Sequence, residues 1–284
     1  MSYTNFTYDK SGACYLYDFN GKSRRLKIID AHTHLYLDGD PKISKHSSSA
    51  NSLISEMSVC GVEKALVISI APLMDQNRIF RELNGHEDRL HFAGSVDPWS
   101  KNALESIDYA VSTLGAKAIK LHPRLQGFGY ENLDLVTPLA RYCGEVGVPI
   151  ILCSFCGGQS LFKSRPAELV YELALRNPNT TIVMAHAGGH RPLEALLVQK
   201  ACPNVYLEIS FAPLYFQKSS VEIDFQFMLY KCDSKKIIYG SDYPEKTMLE
   251  SLEWILNSSS ITKMTNEDLE NIFHKNAMEV YKIQ

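Results

Sequence analysis

Two histidines separated by one residue, His32 and His34, follow the apolar run KIID. Side chains alternate along a strand, so both imidazoles would lie on one face, where a spacing of two lets them bind the same metal ion. The alternative is a pair of hydrogen-bonded loop histidines. The motif therefore indicates a metal site only if further ligands lie at the same edge of the fold.

Side chains that could bind a metal or act on a substrate also follow three other apolar runs. Lys120 and His122 share a face at the end of AIKLHP. His186 follows TIVMA, and Asp242 follows IIYGS. Taken alone, His122 is compatible with a loop histidine, His186 with a core histidine, and Asp242 with a turn former or a helix N-cap. The recurrence of such groups at the ends of apolar runs favours one shared site.

These groups converge only if the runs are strands of one closed sheet. Eight runs that are apolar on both faces alternate with segments of helical length, which is typical of a buried parallel sheet. We predict strands at 27–31, 64–70, 91–96, 117–121, 149–153, 181–185, 205–209 and 236–239. Helices are predicted at roughly 47–60, 75–84, 102–114, 134–146, 166–177, 192–201, 221–232 and 248–258.

Eight such units in about 250 residues are typical of a (β/α)8 barrel, the TIM barrel. Gly61, Gly115 and Gly147 follow three of the helices, where a left-handed C-cap is expected. A doubly wound open sheet is the rival architecture, but no glycine-rich nucleotide motif follows any strand. In a barrel the side chains at the C-terminal ends of the strands meet at one mouth, where we expect the candidate groups.

Two segments lie outside the repeating pattern. Residues 12–26 indicate a hairpin that turns at an Asn-Gly pair, so we expect residues 1–26 to form a small appendage and residues 27–284 to form the barrel. Near the other end, a segment of helical spacing begins at Thr265, and Asp268 follows three residues later as in a capping box. This segment predicts an extra C-terminal helix.

Composition excludes several classes of protein. The 284 residues are 45% hydrophobic and 21% charged, which is incompatible with disorder. The net charge of -3, without runs of like charge, argues against a nucleic-acid partner. Seven cysteines without disulfide-like spacing indicate reduced thiols and a cytoplasmic protein. We expect no signal peptide and no membrane span. We expect a small-molecule substrate, and a homodimer because dimers are the commonest assembly of soluble enzymes.

The strings IIDAHTHL, AIKLHP, TIVMAHAGG and IIYGSDYP occur in this order, followed by FHKNAMEVY. Together they resemble the amidohydrolase superfamily, specifically its amidohydrolase-2 (amidohydrolase-related) branch, over residues 28–281. The resemblance implies a distorted TIM barrel that holds one or two divalent metals, usually zinc. It also implies that His32 and His34 are metal ligands, and that Asp242 is a ligand and a proton acceptor.

The resemblance extends to other positions and fails at one. It implies that His186 is a ligand or acts on the substrate, and that His122 faces the pocket. Strand 5 departs from the branch, because Cys153 stands where a histidine ligand is usual. We expect the Cys153 thiolate to take the place of that ligand, which would favour one zinc ion over harder metals. The alternative is that Cys153 is a small buried hydrophobe and that the metal is weakly held or absent.

Substrate-binding groups are less sharply indicated. Lys120 would be either a carboxylated lysine that bridges two ions or, as we prefer, an ammonium that binds a substrate carboxylate. Further residues in the loops after strands 4, 5 and 7 suit a planar or carboxylated ligand: Arg124, Tyr130, Phe155, Phe162, Phe211, Tyr215 and Phe216.

The resemblance therefore predicts a metal-dependent hydrolase of a small amide, lactone or ester. Zinc lowers the pKa of bound water to about 7. Asp242 would accept the water's proton, and His186 or His122 would polarise the carbonyl. The alternative enzyme is a metal-dependent non-oxidative decarboxylase of an unsaturated or aromatic acid, although H-T-H favours the hydrolase. An alternative of another class is a catalytically inactive barrel that binds a small molecule, which the Cys153 departure alone supports.

Overall fold

The computed structural model describes residues 3–18, 20–37, 44–158 and 161–283. The first element along the chain is a small antiparallel sheet. Its strands pair in the order β1 (Tyr3–Tyr8), β2 (Cys14–Asp18) and β3 (Ser23–Arg25). The sequence predicts the β2–β3 hairpin but not β1, whose polar sequence contains no apolar run. Cys14 and Leu16 of β2 are buried in the same core as the rest of the chain. The division of the chain at residue 26 stays a prediction.

Eight parallel strands follow and form the barrel, which confirms the predicted architecture. They pair in chain order with helices between them. Their bounds are β4 (Ile28–Thr33), β5 (Val62–Ile68), β6 (Leu90–Ser95), β7 (Ile119–Leu121), β8 (Ile150–Cys153), β9 (Ile182–Ala185), β10 (Val205–Glu208) and β11 (Ile237–Ile238). Each predicted strand therefore lies on an observed one, with ends that differ by up to two residues.

The barrel closes where β4 meets the segment that follows β11. The amide of Ala31 donates to the carbonyl of Tyr239 (3.0 Å), and the amide of His34 donates to the carbonyl of Tyr243 (2.7 Å). Between these two bonds, the amide of Asp242 donates to the carbonyl of His32 (2.8 Å). The closure therefore runs directly through the residues that end strands β4 and β11.

The helices surround the barrel, and each predicted helix matches an observed one. Their bounds are α1 (Ala50–Cys60), α2 (Gln76–Glu82), α3 (Ala103–Ser112), α4 (Pro123–Gln126), α5 (Leu133–Glu145), α6 (Leu161–Ser164), α7 (Pro166–Arg176), α8 (Pro192–Ala201), α9 (Ala212–Tyr215), α10 (Ser220–Lys231), α11 (Met248–Leu256), α12 (Asn266–Glu270) and α13 (Asn276–Tyr281). The sequence does not predict α4, α6 and α9, because four residues are too few to show a helical period. Within the described ranges, no helix is both long enough and apolar enough to cross a membrane.

The predicted C-terminal helix begins as expected but is not uniform. The Thr265 hydroxyl accepts from the amide of Asp268 (3.2 Å), and the Asp268 carboxylate accepts from the amide of Thr265 (2.8 Å), which confirms the capping box. A π-helical turn, Asn271–Lys275, joins α12 to α13. Tyr281 in α13 then packs against the apolar interior of the barrel, so this helix fills the end away from the strands' carboxyl termini.

Buried residues form two layers. One lies between the sheet and the surrounding helices and includes Leu53, Val170 and Phe225. The other fills the barrel itself, with side chains from alternate positions of the strands joined by α13: Ile29, Leu66, Ile151, Val183, Ile238, Ala277 and Val280. Because both faces of the strands are covered, the mouth at the carboxyl ends is the place where polar side chains can gather.

A pair of glycines allows a test of how the N-terminal sheet docks on the barrel. Gly61 and Gly115 both have φ 64, but a Cβ on Gly61 would lie 2.6 Å from the Gly12 carbonyl, whereas a Cβ on Gly115 meets nothing within 4 Å. We expect Gly115→Ala to cost about 1–2 kcal/mol through left-handed strain alone. Gly61→Ala should cost a further ~1–3 kcal/mol, because overpacking is added to the same strain. Urea unfolding measures both values, and equal losses would contradict tight docking of the sheet.

Candidate active site

His32 and His34 end the first barrel strand and present the same ring nitrogen to the mouth. The Nδ1 of His32 lies 2.6 Å from the Glu208 carboxylate, and the Nδ1 of His34 lies 2.8 Å from the carbonyl oxygen of Ile68. A carbonyl oxygen and a carboxylate accept hydrogen bonds, so each ring donates through Nδ1–H. In the neutral rings, both Nε2 atoms therefore carry a lone pair instead of a proton.

Asp242 faces both of these lone pairs. Its Oδ1 lies 3.5 Å from Nε2 of His32 and 3.3 Å from Nε2 of His34. Burial alone would raise the pKa of the Asp242 carboxyl, but the neighbouring rings of His34, His32 and His186 hold that pKa well below its usual value. An ionised carboxylate and two imidazole lone pairs at this separation repel one another unless a cation lies among them. The arrangement therefore fits a metal ion.

His186 joins His32 and Asp242 in the closest group of donor atoms, and His34 is outside that group although its Nε2 lies 3.3 Å from Asp242. One ligand atom each from His32, His186 and Asp242 lies within 4.8 Å of the others, and all three residues are buried. Burial lowers the pKa of His186 to about 3, so its ring is neutral and able to bind a metal. Imidazole and carboxylate donors suit zinc and also harder divalent ions such as manganese.

Left-handed backbone at two of these positions sets the direction of the side chains. His186 has φ 64 and Asp242 has φ 68, a conformation that is unfavourable for residues with a Cβ. Such strain costs of order 1–3 kcal/mol and clusters at functional sites. The backbone strain at these two positions therefore directs both side chains into the mouth of the barrel, at a cost in the free energy of folding.

Lys120 lies beside the donor group at the end of β7. It is 1% exposed, and its Nζ donates to Nε2 of His32 at 3.4 Å. Burial lowers the pKa of Lys120, while the neighbouring Cys153 thiol and Asp242 carboxylate oppose that shift. Its amine contacts the same lone pair that a metal would use, so metal binding requires this contact to be exchanged for a metal–His32 bond.

Cys153 and His122 face the same cavity in different ways. Cys153 is buried, but its sulfur is outside the group of ligand atoms that lie within 4.8 Å of one another. Ligation of a metal by Cys153 stays a prediction. The Nδ1 of His122 accepts from the amide of Leu125 (3.4 Å), so its neutral ring has a proton on Nε2. The Nε2 of His122 is therefore a hydrogen-bond donor, whereas the Nε2 atoms of His32 and His34 carry lone pairs.

The donor group opens into a cavity of about 180 Å³. Phe155 and Phe211 form one wall, with ring centroids 6.3 and 6.1 Å from that of His186. Arg124 is exposed on the first turn of α4 and lines the entrance. A larger cavity of about 580 Å³ lies near the amino ends of the strands and contains none of these groups.

The other aromatic residues expected at the pocket do not line it. Tyr215 and Phe216 pack behind Phe155, with centroid distances of 5.1 and 6.0 Å. Tyr130 lies under the guanidinium of Arg165, and Phe162 is 83% exposed. Sequence reasoning had no means of separating these from Phe155 and Phe211, because all of them lie in the segments that join a predicted strand to the next predicted helix, where the sequence shows no periodicity.

Four residues at the site were missed. Tyr36 stacks on His34 with centroids 5.7 Å apart, and Glu245 lines the cavity next to Asp242. Glu208 and Ser210 lie behind the histidine rings and contact both His32 and His186. A signal for Glu208 exists in the sequence, because it is the one charged residue in the apolar run VYLEI.

Comparisons with known proteins show the family and the fold of this chain. A family model described as amidohydrolase matches residues 29–283. A search of curated proteins finds no match. An uncharacterised TIM-barrel protein from Bordetella bronchiseptica has a similar structure, with a TM-score of 0.74 at 18% identity over 91% of this chain and 99% of that one.

Two enzymes have the same fold. A probable 2-pyrone-4,6-dicarboxylic acid hydrolase from Acinetobacter baumannii has a TM-score of 0.68 at 16% identity, over 90% of this chain and 100% of that one. The 5-carboxyvanillate decarboxylase from Novosphingobium aromaticivorans, solved with manganese, has a TM-score of 0.65 at 14% identity, over 90% of this chain and 96% of that one. Among the named enzymes of this fold, decarboxylases outnumber hydrolases.

The donor geometry predicts which substitutions remove a metal. We expect His186→Ala to lower the affinity for added zinc or manganese at least tenfold, because it deletes one of three clustered ligand atoms. Cys153→Ser alters a buried group in the same cavity but outside that cluster, so we expect it to lower the affinity less than His186→Ala does. Elemental analysis after dialysis measures both. A loss of metal from Cys153→Ser equal to that from His186→Ala would instead support ligation by Cys153.

Proposed function

Because the chain belongs to the amidohydrolase family, we propose that it is a metal-dependent hydrolase that cleaves an amide, lactone or ester of a small carboxylated molecule. The observation that carries this proposal is the convergence of the His32 and His34 lone pairs on the ionised carboxylate of Asp242. This arrangement supplies both the ligands of a metal and the base that hydrolysis needs.

The metal would be held by His32, His34, His186 and Asp242. We favour one zinc ion, because zinc readily takes imidazole and carboxylate ligands; manganese, which the Novosphingobium enzyme holds, is the alternative. A divalent ion at this place supplies Lewis-acid activation of water and of a substrate carbonyl. Lys120, displaced from its contact with His32, is then free to pair with an anion.

Asp242 and His122 would move the protons and stabilise charge. The lowered pKa of Asp242 keeps its carboxylate ionised, and an ionised carboxylate held beside the attacking water would accept its proton and later pass it to the leaving group. His122 carries its proton on Nε2, so it would donate a hydrogen bond to the carbonyl oxygen as negative charge develops there. The two side chains therefore have complementary roles.

Two cations and two aromatic rings favour a small carboxylated substrate. Lys120 lies at the base of the cavity and Arg124 at its entrance, so each can pair with a carboxylate. Phe155 and Phe211 offer flat apolar surface on one side. The volume of about 180 Å³ is below the ~300–1,000 Å³ of pockets for drug-sized ligands, which limits the substrate to a few functional groups.

A decarboxylase is the second candidate, and Lys120 is the observation that favours it. A buried amine 3.4 Å from a metal-facing nitrogen would bind a substrate carboxylate close to the metal. In that reaction His122 would be the proton donor to carbon. The experiment that separates the two reactions offers the metal-loaded protein 2-pyrone-4,6-dicarboxylate and 5-carboxyvanillate. Ring opening without release of carbon dioxide supports the hydrolase, and release of carbon dioxide supports the decarboxylase.

An inactive binding barrel is distinguished by its metal content. The proposed enzyme should hold close to one zinc or manganese ion per chain after purification with that metal, whereas a binding scaffold need hold none. Elemental analysis gives the ratio directly.

Replacing Asp242 by Asn tests the proposed base. An amide cannot accept the water's proton, so we expect turnover of the better of the two substrates to fall roughly 10²–10⁴-fold. Asp134→Asn is the control, because Asp134 is 96% exposed and pairs with Arg176 at the surface. Metal content and thermal unfolding are measured in parallel. A metal-loaded Asp242→Asn protein with a nearly normal rate would show that Asp242 is not the base.

A further inference from the structure

Glu208, at the end of β10, is a buried carboxylate that contacts the candidate site from behind. It is fully buried, and its Oε2 accepts from Nδ1 of His32 (2.6 Å) and from the hydroxyl of Ser210 (2.9 Å). It does not belong to the group of clustered ligand atoms. A buried carboxylate is costly unless its oxygens are paired, and here both contacts fall on Oε2, whereas Oε1 is buried without a hydrogen-bond partner among the described residues.

Ser210 carries the influence of Glu208 to a second histidine. Its hydroxyl has one proton, and that proton is donated to Glu208. The same oxygen lies 2.9 Å from Nδ1 of His186, so it accepts a proton from that ring. The Nδ1 of His186 is therefore protonated and its Nε2 carries a lone pair, as in His32.

We propose that Glu208 and Ser210 are positioning residues that fix both His32 and His186 in the Nδ1–H tautomer, so that both Nε2 lone pairs are available to one metal. The inference rests on the proposed metal site. Neither residue touches the reacting atoms; each acts through a histidine ring. Carboxylates that accept from metal-binding histidines typically raise metal affinity about 10–100-fold by holding ring and tautomer in place.

Close packing around Glu208 supports this role. A Cβ on Gly240 would lie 2.5 Å from Oε1 of Glu208 and 2.7 Å from Cβ of His32. Only a glycine at this position leaves room for the carboxylate and the imidazole to meet beside the closing strand. The backbone at Gly240 therefore packs closely against both side chains of the Glu208–His32 contact.

Nitrogen-15 NMR of the histidine rings in the metal-free protein at pH 8 tests the tautomers directly. We expect Nδ1–H signals from His32 and His186 in the wild type. Glu208→Leu, which removes the acceptor, should shift both rings towards Nε2–H. Ser210→Ala should shift His186 alone, and Glu208→Gln, which keeps an acceptor oxygen, should largely preserve both.

Asp30→Asn is the matched control for loss of a buried carboxylate. Asp30 is fully buried on the same strand as His32 and accepts from the amide of His32 (3.1 Å), but it does not contact the ring. It should leave both tautomers unchanged. Glu208→Leu and Ser210→Ala proteins that retain the wild-type tautomers would overturn the proposal. Ser210→Ala and Glu208→Gln change few atoms and should fold even if Glu208→Leu does not. The ring tautomers can then still be measured in these two variants.

Calorimetric titration with zinc then measures the consequence. We expect the dissociation constant to rise about 10–100-fold for Glu208→Leu, and less for Glu208→Gln. Unchanged zinc affinity in Glu208→Leu would contradict the positioning role. If the wild type itself binds neither zinc nor manganese, the proposed metal function fails, and the tautomer signals still decide whether Glu208 and Ser210 set the protons on the rings.

Discussion

The candidate site depends on holding several electron-pair donors together in a buried space. Nε2 of His32 and Nε2 of His34 both lie within about 3.5 Å of the Asp242 carboxylate, where little water screens their repulsion. Each ring is held by a second contact on its far side, from the Glu208 carboxylate or the Ile68 carbonyl. These contacts oppose the repulsion, and a cation in the middle would convert it into attraction.

This constraint explains why closure of the barrel and formation of the site are one event. His32 and Asp242 are separated by most of the chain, yet the amide of Asp242 donates to the carbonyl of His32 at the strand pair that closes the sheet. A displaced register there would separate the donors as well as opening the barrel. The apolar interior and the closing helix α13, which packs below the site, therefore stabilise the donor geometry as well as the fold.

The sequence predicts the parts of this arrangement that depend on local pattern. All eight barrel strands, the larger helices and the capping box at Thr265 follow from apolar periodicity and helix-end chemistry, and the family resemblance is confirmed by the matched family model. The contact between Glu208 and His32 is not local, since 176 residues separate them. Tyr36 was missed for a different reason: it is only two residues from His34, but its stacking on that ring depends on the path of the loop that follows β4. Periodicity carries no information about which residues of distant loops meet.

The same geometry also limits which chemistry the site can favour. Hydrolysis and decarboxylation both use a cation held by imidazoles and a carboxylate, so the donor group alone does not choose between them. The choice depends on what the cavity presents opposite the metal ligands. His122 offers a proton and Lys120 offers a positive charge, and both lie at the end of β7. Under the proposed function, an oxygen of the substrate that meets His122 would be polarised for attack by water, whereas a carboxylate that meets Lys120 would be oriented for loss. The substituents that a substrate places against these two side chains would therefore decide between the two reactions.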